Sequence, residues 1–314
     1  MPELAEVEFY RKRWALAATG AKIRTVEVHP GAKIFRGTDP AAIVRALTGS
    51  TLRSSETAAK QMLFRFSGHA WLGLHLGMSG DLAVQAADAV ATKHDHLILR
   101  TREYALVFND PRMFGRVQFA VGPSAPAWWS GIAPAILSPD FTNEAVAAFL
   151  RRRARAPLKA VLLMQERFPG VGNWMADEIL WRAELFPGRL CGSLTPAEIT
   201  RLWRECRTVC RQALEKIAGK GDSLPDHLNQ HIPTSWLMLH RWQPGGKDPK
   251  TGELLKRGTF GGRTTVWAPR VEHASPPSPR LRGASRARSP SSAKDISSHP
   301  QGRPPYHSKA SLHP

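Results

Sequence analysis

PGVGNWMADEIL, residues 169–180, sets two glycines one residue apart and then opens a helical run. Gly170 and Gly172 make a tight turn, and Asn173 stands at or near the N-cap of the helix that follows. Backbone N–H groups at such a helix start lack intrahelical acceptors and are ready donors to a phosphate. In isolation the stretch also suits a plain corner between two helices. It has neither the dinucleotide-fold nor the P-loop spacing of glycines. The overall charge favours the phosphate reading.

Lys and Arg number 44 against 26 Asp and Glu in 314 residues, a net charge of +18. Residues after 270 carry seven Lys/Arg and two acids, so +13 belongs to residues 1–270 and the body of the chain is itself basic. A field of that sign makes nucleic acid the expected partner. No apolar run approaches the ~18 residues of a membrane span, and the start lacks the pattern of a secretory signal. The three cysteines, Cys191, Cys206 and Cys210, have no framework spacing, which fits a reducing compartment. Cys206 and Cys210 read as small buried hydrophobes.

Outward from the glycine turn the periodicity is helical. TNEAVAAFLRRR, PLKAVLLMQERF, NWMADEILWRAEL and TPAEITRLWRECRTVCRQALEKIA follow the Pro-rich junction APAILSPDF. Before that junction the chain is mainly β. After a leading helix from Leu4, residues 21–29 alternate as a strand, and DPAAIVRALTGS reads as a short helix with Asp39 as N-cap and Pro40 at N1. QMLFRF, HAWLGLHL, HDHLILR, YALVFN and GRVQFAV then suggest an antiparallel sandwich. LLKRGTF and RTTVWAP, near the end, return to strand chemistry around glycine turns. The expected organisation is a β-sandwich over 1–133, a helical domain over 134–235, a β-hairpin over 236–270 and a disordered Ser/Pro/Arg-rich tail over 271–314.

Four further stretches carry chemistry. NDPRMFG, residues 109–115, is turn chemistry presenting Arg112, Met113 and Phe114 at a loop tip. A cation beside apolar wedges suits the gap left by an extruded base, although Phe114 folded back into the sheet is the plainer reading. HLGMSG, residues 75–80, sets Met78 between two glycines. KHDH, residues 93–96, reads as a structural hydrogen-bonded histidine pair, because a metal would need a third protein ligand. GGRTTVWAP, residues 261–269, places Arg263 after two glycines in a hairpin, suited to bidentate phosphate contact. At the front, MPELAEVE puts Pro2 and Glu3 in the first turn of a helix.

Together and in this order, MPEL, AKQMLF around Lys60, HLGMSG, KHDH, NDPRMFG, PGVGNWMADEIL and GGRTTVWAP resemble the formamidopyrimidine-DNA glycosylase/endonuclease VIII family across about residues 1–270. The resemblance implies an α+β fold: a two-layer β-sandwich with a leading helix, a helix–two-turns–helix domain and a C-terminal β-hairpin finger. It implies a base-excision repair glycosylase with abasic-site lyase activity, acting as a monomer on damaged double-stranded DNA. By resemblance Pro2, freed by removal of Met1, is the nucleophile, and Glu3 protonates the sugar ring oxygen. Lys60 joins them as a catalytic residue and also grips phosphate with His75, Asn173 and Arg263. Met78, Arg112 and Phe114 fill the gap left by the flipped nucleotide.

The chain departs from the family pattern in its finger. Residues 240–271 contain no cysteine, and Ala268 and Val271 stand where the last Cys-x-x-Cys would fall. A zincless finger packed by Phe260 and Trp267 is therefore expected, with no metal or other cofactor. Ala5 replaces the usual second proline, Met113 a commonly basic residue. The stretch GKGDSLPDHLNQHIPTSWL is short for the lesion-capping loop of enzymes specialised for 8-oxoguanine, so formamidopyrimidines or hydantoins are at least as well suited as 8-oxoguanine as substrates. The alternatives are a damaged-DNA-binding protein that has lost catalysis, and a ribosomal module suggested by the helical part alone. The expected compartment is the bacterial cytoplasm or nucleoid, or the nucleus or an organelle in a eukaryote; secretion is not expected.

Overall fold

The leading helix, α1 (Leu4–Ala18), is apolar on two sides and belongs to two cores at once. Its Val7, Trp14 and Ala18 pack into a sandwich core, while Ala5 and Phe9 pack into a helical core. The computed structural model describes residues 2–29 and 31–273. Of the tail expected to be disordered over 271–314, residues 271–273 instead belong to a short helical turn, Arg270–His273, that buries Val271; the rest lies outside the described residues.

After α1 come β1 (Thr25–Val28), α2 (Pro40–Leu47), β2 (Leu52–Ala58), β3 (Gln61–Phe66), β4 (Ala70–His75), β5 (Asp81–Ala86), β6 (Asp95–Arg100), β7 (Tyr104–Asn109) and β8 (Arg116–Val121). The strands form two four-stranded antiparallel sheets, ordered β1-β6-β7-β5 and β2-β3-β4-β8. Phe64, Leu72, Leu82, Leu97, Leu106 and Phe108 fill the space between them. Asp39 caps α2 as the sequence predicts, accepting from the Ala41 N–H at 2.9 Å. The first strand is shorter than its alternation suggests. Ile23 N–H bonds to Ser50 O and Leu52 N–H to Ala21 O, so residues 21–23 pair with the approach to β2 instead.

The second half holds a short turn of helix, α3 (Ala127–Ser130), then α4 (Asn143–Arg152), α5 (Leu158–Leu162), α6 (Asn173–Arg182) and the long α7 (Pro196–Ile217). Thr195 caps α7, with Glu198 reaching back to the Thr195 N–H. Phe141, Phe149, Phe168, Met175, Ile179, Cys206 and Cys210 are among the residues buried in this core. Burial pushes the Cys191 thiol up to about 12 and the Cys206 and Cys210 thiols upward too, so all three act as packing groups.

A hairpin precedes the last helical turn of the described chain: β9 (Lys256–Phe260) pairs with β10 (Arg263–Trp267) through Gly261 and Gly262, with φ of 58° and 70°. Both turn residues need positive φ, which glycine adopts without strain. Phe260 and Trp267 form an edge-on cluster with Phe186, with centroids 5.6 Å apart in each pair. The hairpin is also tied to α6 through buried Asp177. One carboxylate oxygen accepts from Lys159 Nζ at 2.5 Å; the other accepts from Arg241 and from the Val266 N–H at 3.1 Å. Asp248, equally buried, accepts from the Trp181 indole and pairs with Arg270.

Replacing Asp177 by Ala leaves the Lys159 and Arg241 cations buried without their counter-charge. The variant is expected to lose about 3–5 kcal/mol, measured by urea unfolding. Lys12 makes a separate tie: its buried ammonium donates to Ala218 O, Gly219 O and Ser223 O at 2.8–3.3 Å, closing the C-terminal end of α7. Lys12→Met is expected to cost about 2–3 kcal/mol in the same measurement, since it strips those carbonyls of a charged donor.

Candidate active site

The start of α6 is where the two halves of the chain meet. Gly172 is its N-cap and Asn173 its first helical residue, and no side chain from α6 caps it. The cap comes from Glu3, at the head of α1. Its carboxylate accepts from the N–H groups of Gly172, Trp174 and Met175 at 2.8, 2.9 and 3.1 Å. Gly172 is obligatory here for space: a Cβ on it would lie 2.3 Å from the Glu3 carboxyl carbon. The preceding turn is equally tight, because a Cβ on Gly170 would lie 2.9 Å from Leu4. Pro2, half-buried, leads directly into Glu3.

A second carboxylate lies beside this one. Glu6 accepts from the Glu3 N–H at 2.9 Å and from the Trp174 indole at 2.8 Å, and it is buried as well. Burial raises the Glu3 pKa, while Lys60 and the Trp174 and Met175 N–H groups pull the other way. Glu6 is raised to about 7, by burial first and then by the neighbouring charge of Glu3. Two buried carboxylates at the end of one helix resist full ionisation near neutral pH, so the pair can hold a proton.

The cationic members of the predicted site gather on the same turn. Lys60 donates to Val171 O at 2.8 Å, and burial lowers its pKa. Glu3 and Arg263 both act on its charge. Asn173 donates through Nδ2 to Thr264 O at 2.9 Å, which draws the hairpin and Arg263 to the helix start. Asn173 Oδ1 is buried and has no hydrogen-bond partner. His75 accepts the Gly77 N–H on Nδ1 at 3.0 Å, so its ring proton belongs on Nε2. Burial lowers its pKa, with Lys60, Arg36 and Arg116 adding repulsion. The structure thus brings Glu3, Lys60, His75, Asn173 and Arg263 into one neighbourhood with Pro2 at its edge.

Met78, Arg112 and Phe114 occupy two neighbouring loops of the sandwich. All three are exposed, Phe114 to 48% and Met78 to 37%. Phe114 therefore does not fold back into the sheet; Arg112 covers its ring at 4.8 Å from the centroid. Buried Asp110 holds both loops, accepting from the Ser79 hydroxyl at 2.7 Å and from the Gly115 N–H at 2.7 Å. A Cβ on Gly77 would lie 2.4 Å from Phe114 backbone, so one loop rests on the other.

KHDH differs from its sequence reading. His94 precedes β6, and His96 bonds to Asp110 O at 2.9 Å and packs edge-on against His29, so the two histidines are not a hydrogen-bonded pair. Sequence reasoning also passed over Glu6, Trp174, Gln165 and Asp110. Glu6 follows Glu3 at capping-box spacing, and Asp110 lies in a turn motif, so both had a signal. Among the described residues no cluster of three or more His, Cys, Asp or Glu is arranged to hold a metal ion.

The Glu6 assignment has a pH consequence. A carboxyl raised to about 7 in the fold and ordinary when unfolded gives stability that is full below about 4.5 and falls as pH rises through about 7. Wild type is therefore expected to lose up to about 3 kcal/mol across that window relative to Glu6→Gln, as read from thermal or urea unfolding at a series of pH values.

Comparison with known proteins agrees with this geometry. Residues 1–117 match the model of the formamidopyrimidine-DNA glycosylase N-terminal domain, and residues 132–223 match that of the formamidopyrimidine-DNA glycosylase H2TH domain. A formamidopyrimidine-DNA glycosylase of Roseiflexus sp. is 37% identical over 232 residues, 74% of this chain and 84% of that protein. One from Herpetosiphon aurantiacus is 31% identical over 88% of this chain and 98% of its own length. Among solved structures, the Lactococcus lactis enzyme in complex with DNA containing an N7-benzyl-Fapy-dG superposes with a TM-score of 0.76. It is 26% identical, covering 86% of this chain and 99% of that one. The same enzyme with DNA containing an oxidised pyrimidine gives 0.75 at 25% identity. With both domain models matched in order and relatives similar along most of their length, the chain belongs to the formamidopyrimidine-DNA glycosylase family.

Proposed function

We propose that this chain excises oxidised bases, formamidopyrimidines foremost, from duplex DNA and then cuts the strand as an abasic-site lyase. The observation that carries the reading is the Glu3 carboxylate, held on the N–H groups of α6 directly beside Pro2. The nucleophile is the secondary amine of Pro2 once Met1 is removed. An α-amino group titrates near ~8, well below a lysine at ~10.4, so a useful neutral fraction exists at physiological pH.

The steps follow from the groups present. The Pro2 nitrogen bonds to sugar C1′ as the bond from C1′ to the damaged base breaks, and the proton lost from the amine leaves on the base. A proton from the Glu3 side passes to the ring oxygen, the C1′–O bond opens, and an iminium joins Pro2 to the sugar. Loss of a C2′ proton to a basic group then expels the 3′ phosphate, and a second elimination expels the 5′ phosphate. Lys60, His75, Asn173 and Arg263 offer N–H groups to the flanking phosphates. Met78, Arg112 and Phe114 take the space vacated by the flipped nucleotide, and flipping costs least at a damaged pair.

In this reading the finger needs no zinc, its hairpin being held by the Phe186–Phe260–Trp267 rings and by Asp177 and Asp248. Untagged protein with Pro2 as its first residue is expected to form a borohydride-trapped adduct with an abasic duplex. Absence of that adduct would leave a damaged-DNA-binding protein as the surviving interpretation. Glu3→Gln is expected to lower single-turnover excision by about 100-fold or more while abasic-duplex binding persists. For the finger, stoichiometric zinc in metal analysis, or loss of activity on chelation, would overturn the metal-free assignment.

A further inference from the structure

A cleft of about 740 Å³ opens beside the phosphate-gripping residues, lined by Lys60, His75, Trp128, Ile132, Pro134 and Gln165 among others. One of its walls is Trp128 of α3, in a segment between the two cores to which none of the site motifs belongs. The ring has a prepared seat. Gly73 of β4 faces it, and a Cβ there would lie 2.4 Å from the Trp128 ring, so only glycine lets the indole settle against the sheet. Trp129 packs edge-on against Trp128 with centroids 6.5 Å apart, bracing it from the other side. Trp128 is half-buried and keeps a surface toward the cleft.

The two ends of the cleft differ in chemistry. At one end Lys60 spends one N–H on Val171 O and has two more to give, and His75 presents its Nε2 proton. Arg36 and Arg116 lie near enough to act on the His75 charge, which makes that end attractive to a phosphate. The Trp128 end is aromatic and apolar. Two of the polar groups between are already committed. Gln165 donates to Leu163 O and Val171 O and accepts from the Gly170 N–H, while Glu166 is paired with Arg153. Gln61 also lines the cleft, and beside these groups a flat π-face is available to stack on a base, an interaction that tolerates every base.

We propose that this cleft is a stacking subsite for one unpaired nucleotide flanking the lesion, its phosphate toward Lys60 and His75 and its base on Trp128. The inference rests on the DNA-repair reading above. A paired base lies inside the duplex and cannot reach the indole, so the subsite selects lesions whose neighbour is mispaired, frayed or next to a nick. Stacking of this kind is worth ~1–3 kcal/mol per base, about 5- to 150-fold in affinity.

The test uses binding, so it does not depend on catalysis. Duplexes carrying a non-cleavable abasic analogue are prepared with the neighbouring nucleotide paired or mispaired, on the 5′ or the 3′ side. Dissociation constants are measured for wild type, Trp128→Phe, Trp128→Ala and Gly73→Ala, with thermal unfolding confirming that each variant is folded. On one of the two sides, the gain from mispairing should be at least about 5-fold greater in wild type than in Trp128→Ala. Trp128→Phe should retain most of that gain, Gly73→Ala should lose it by displacing the ring, and the identity of the unpaired base should not matter. Equal gains in wild type and Trp128→Ala on both sides overturn the subsite while leaving the repair reading intact. Failure of wild type to bind any abasic duplex overturns both.

Discussion

A single buried carboxylate from the head of the chain satisfies three backbone donors at the start of a helix some 170 residues away. A helix start buried without acceptors would be costly, and so would a carboxylate buried without donors. Each removes the other's penalty, and Gly172 is the residue that permits the approach. The contact also sets the chemistry. Burial raises the Glu3 pKa, against the pull of Lys60 and of the helix N–H groups. Trp174 couples it to Glu6, since the Trp174 N–H serves Glu3 and its indole serves Glu6.

Holding that contact requires the first helix to be rigid with respect to both cores, and α1 is built for this. Val7 and Trp14 are locked in the sandwich, Ala5 and Phe9 in the helical core, and Lys12 is bound to the C-terminal end of α7. A terminus is ordinarily the least ordered part of a domain. Here it is fixed by packing on two sides and by a charged hydrogen-bond anchor two turns further along, so Pro2 and Glu3 stand on a stiff support.

Much of this was legible in the sequence because local chemistry carries it. The Asp39-Pro40 helix start, the glycine turn before Asn173 and the Gly261-Gly262 hairpin each follow from residues close together in the chain. What escaped is instructive. β2 and β5 are the outer strands of their sheets, and LRSSETA and DLAVQA each contain only one fully buried residue. An outer strand is paired on one side and half-solvated, so it lacks the apolar run that marks QMLFRF or YALVFN. PLKAVLLMQERF has helical period throughout but stops as α5 at Leu162. Beyond it the chain turns so that Gln165 can bond to Val171 O and the Gly170 N–H. That tertiary demand outweighs propensity. The bond between Glu6 and Trp174 joins residues 168 apart, and no local pattern could announce it.

The hairpin shows how phosphate-binding geometry can be carried by ordinary side-chain physics. Arg263 sits at the exposed end of a two-stranded ribbon, which alone would be marginal in water. The rings of Phe186, Phe260 and Trp267 pack together along it, but rings alone leave a hairpin free to rock. Direction comes from Asp177, whose bond to the Val266 N–H fixes the strand against α6, two residues from Thr264, the acceptor for Asn173. Lys159 lies on the same carboxylate and also donates to Asn173 O at 2.5 Å. One buried aspartate therefore sets both the strand that carries Arg263 and the residue that begins α6. Because α6 also holds Glu3, the strand that carries Arg263, Asn173 and the Glu3 carboxyl share one frame, and displacing any of them would strain the others.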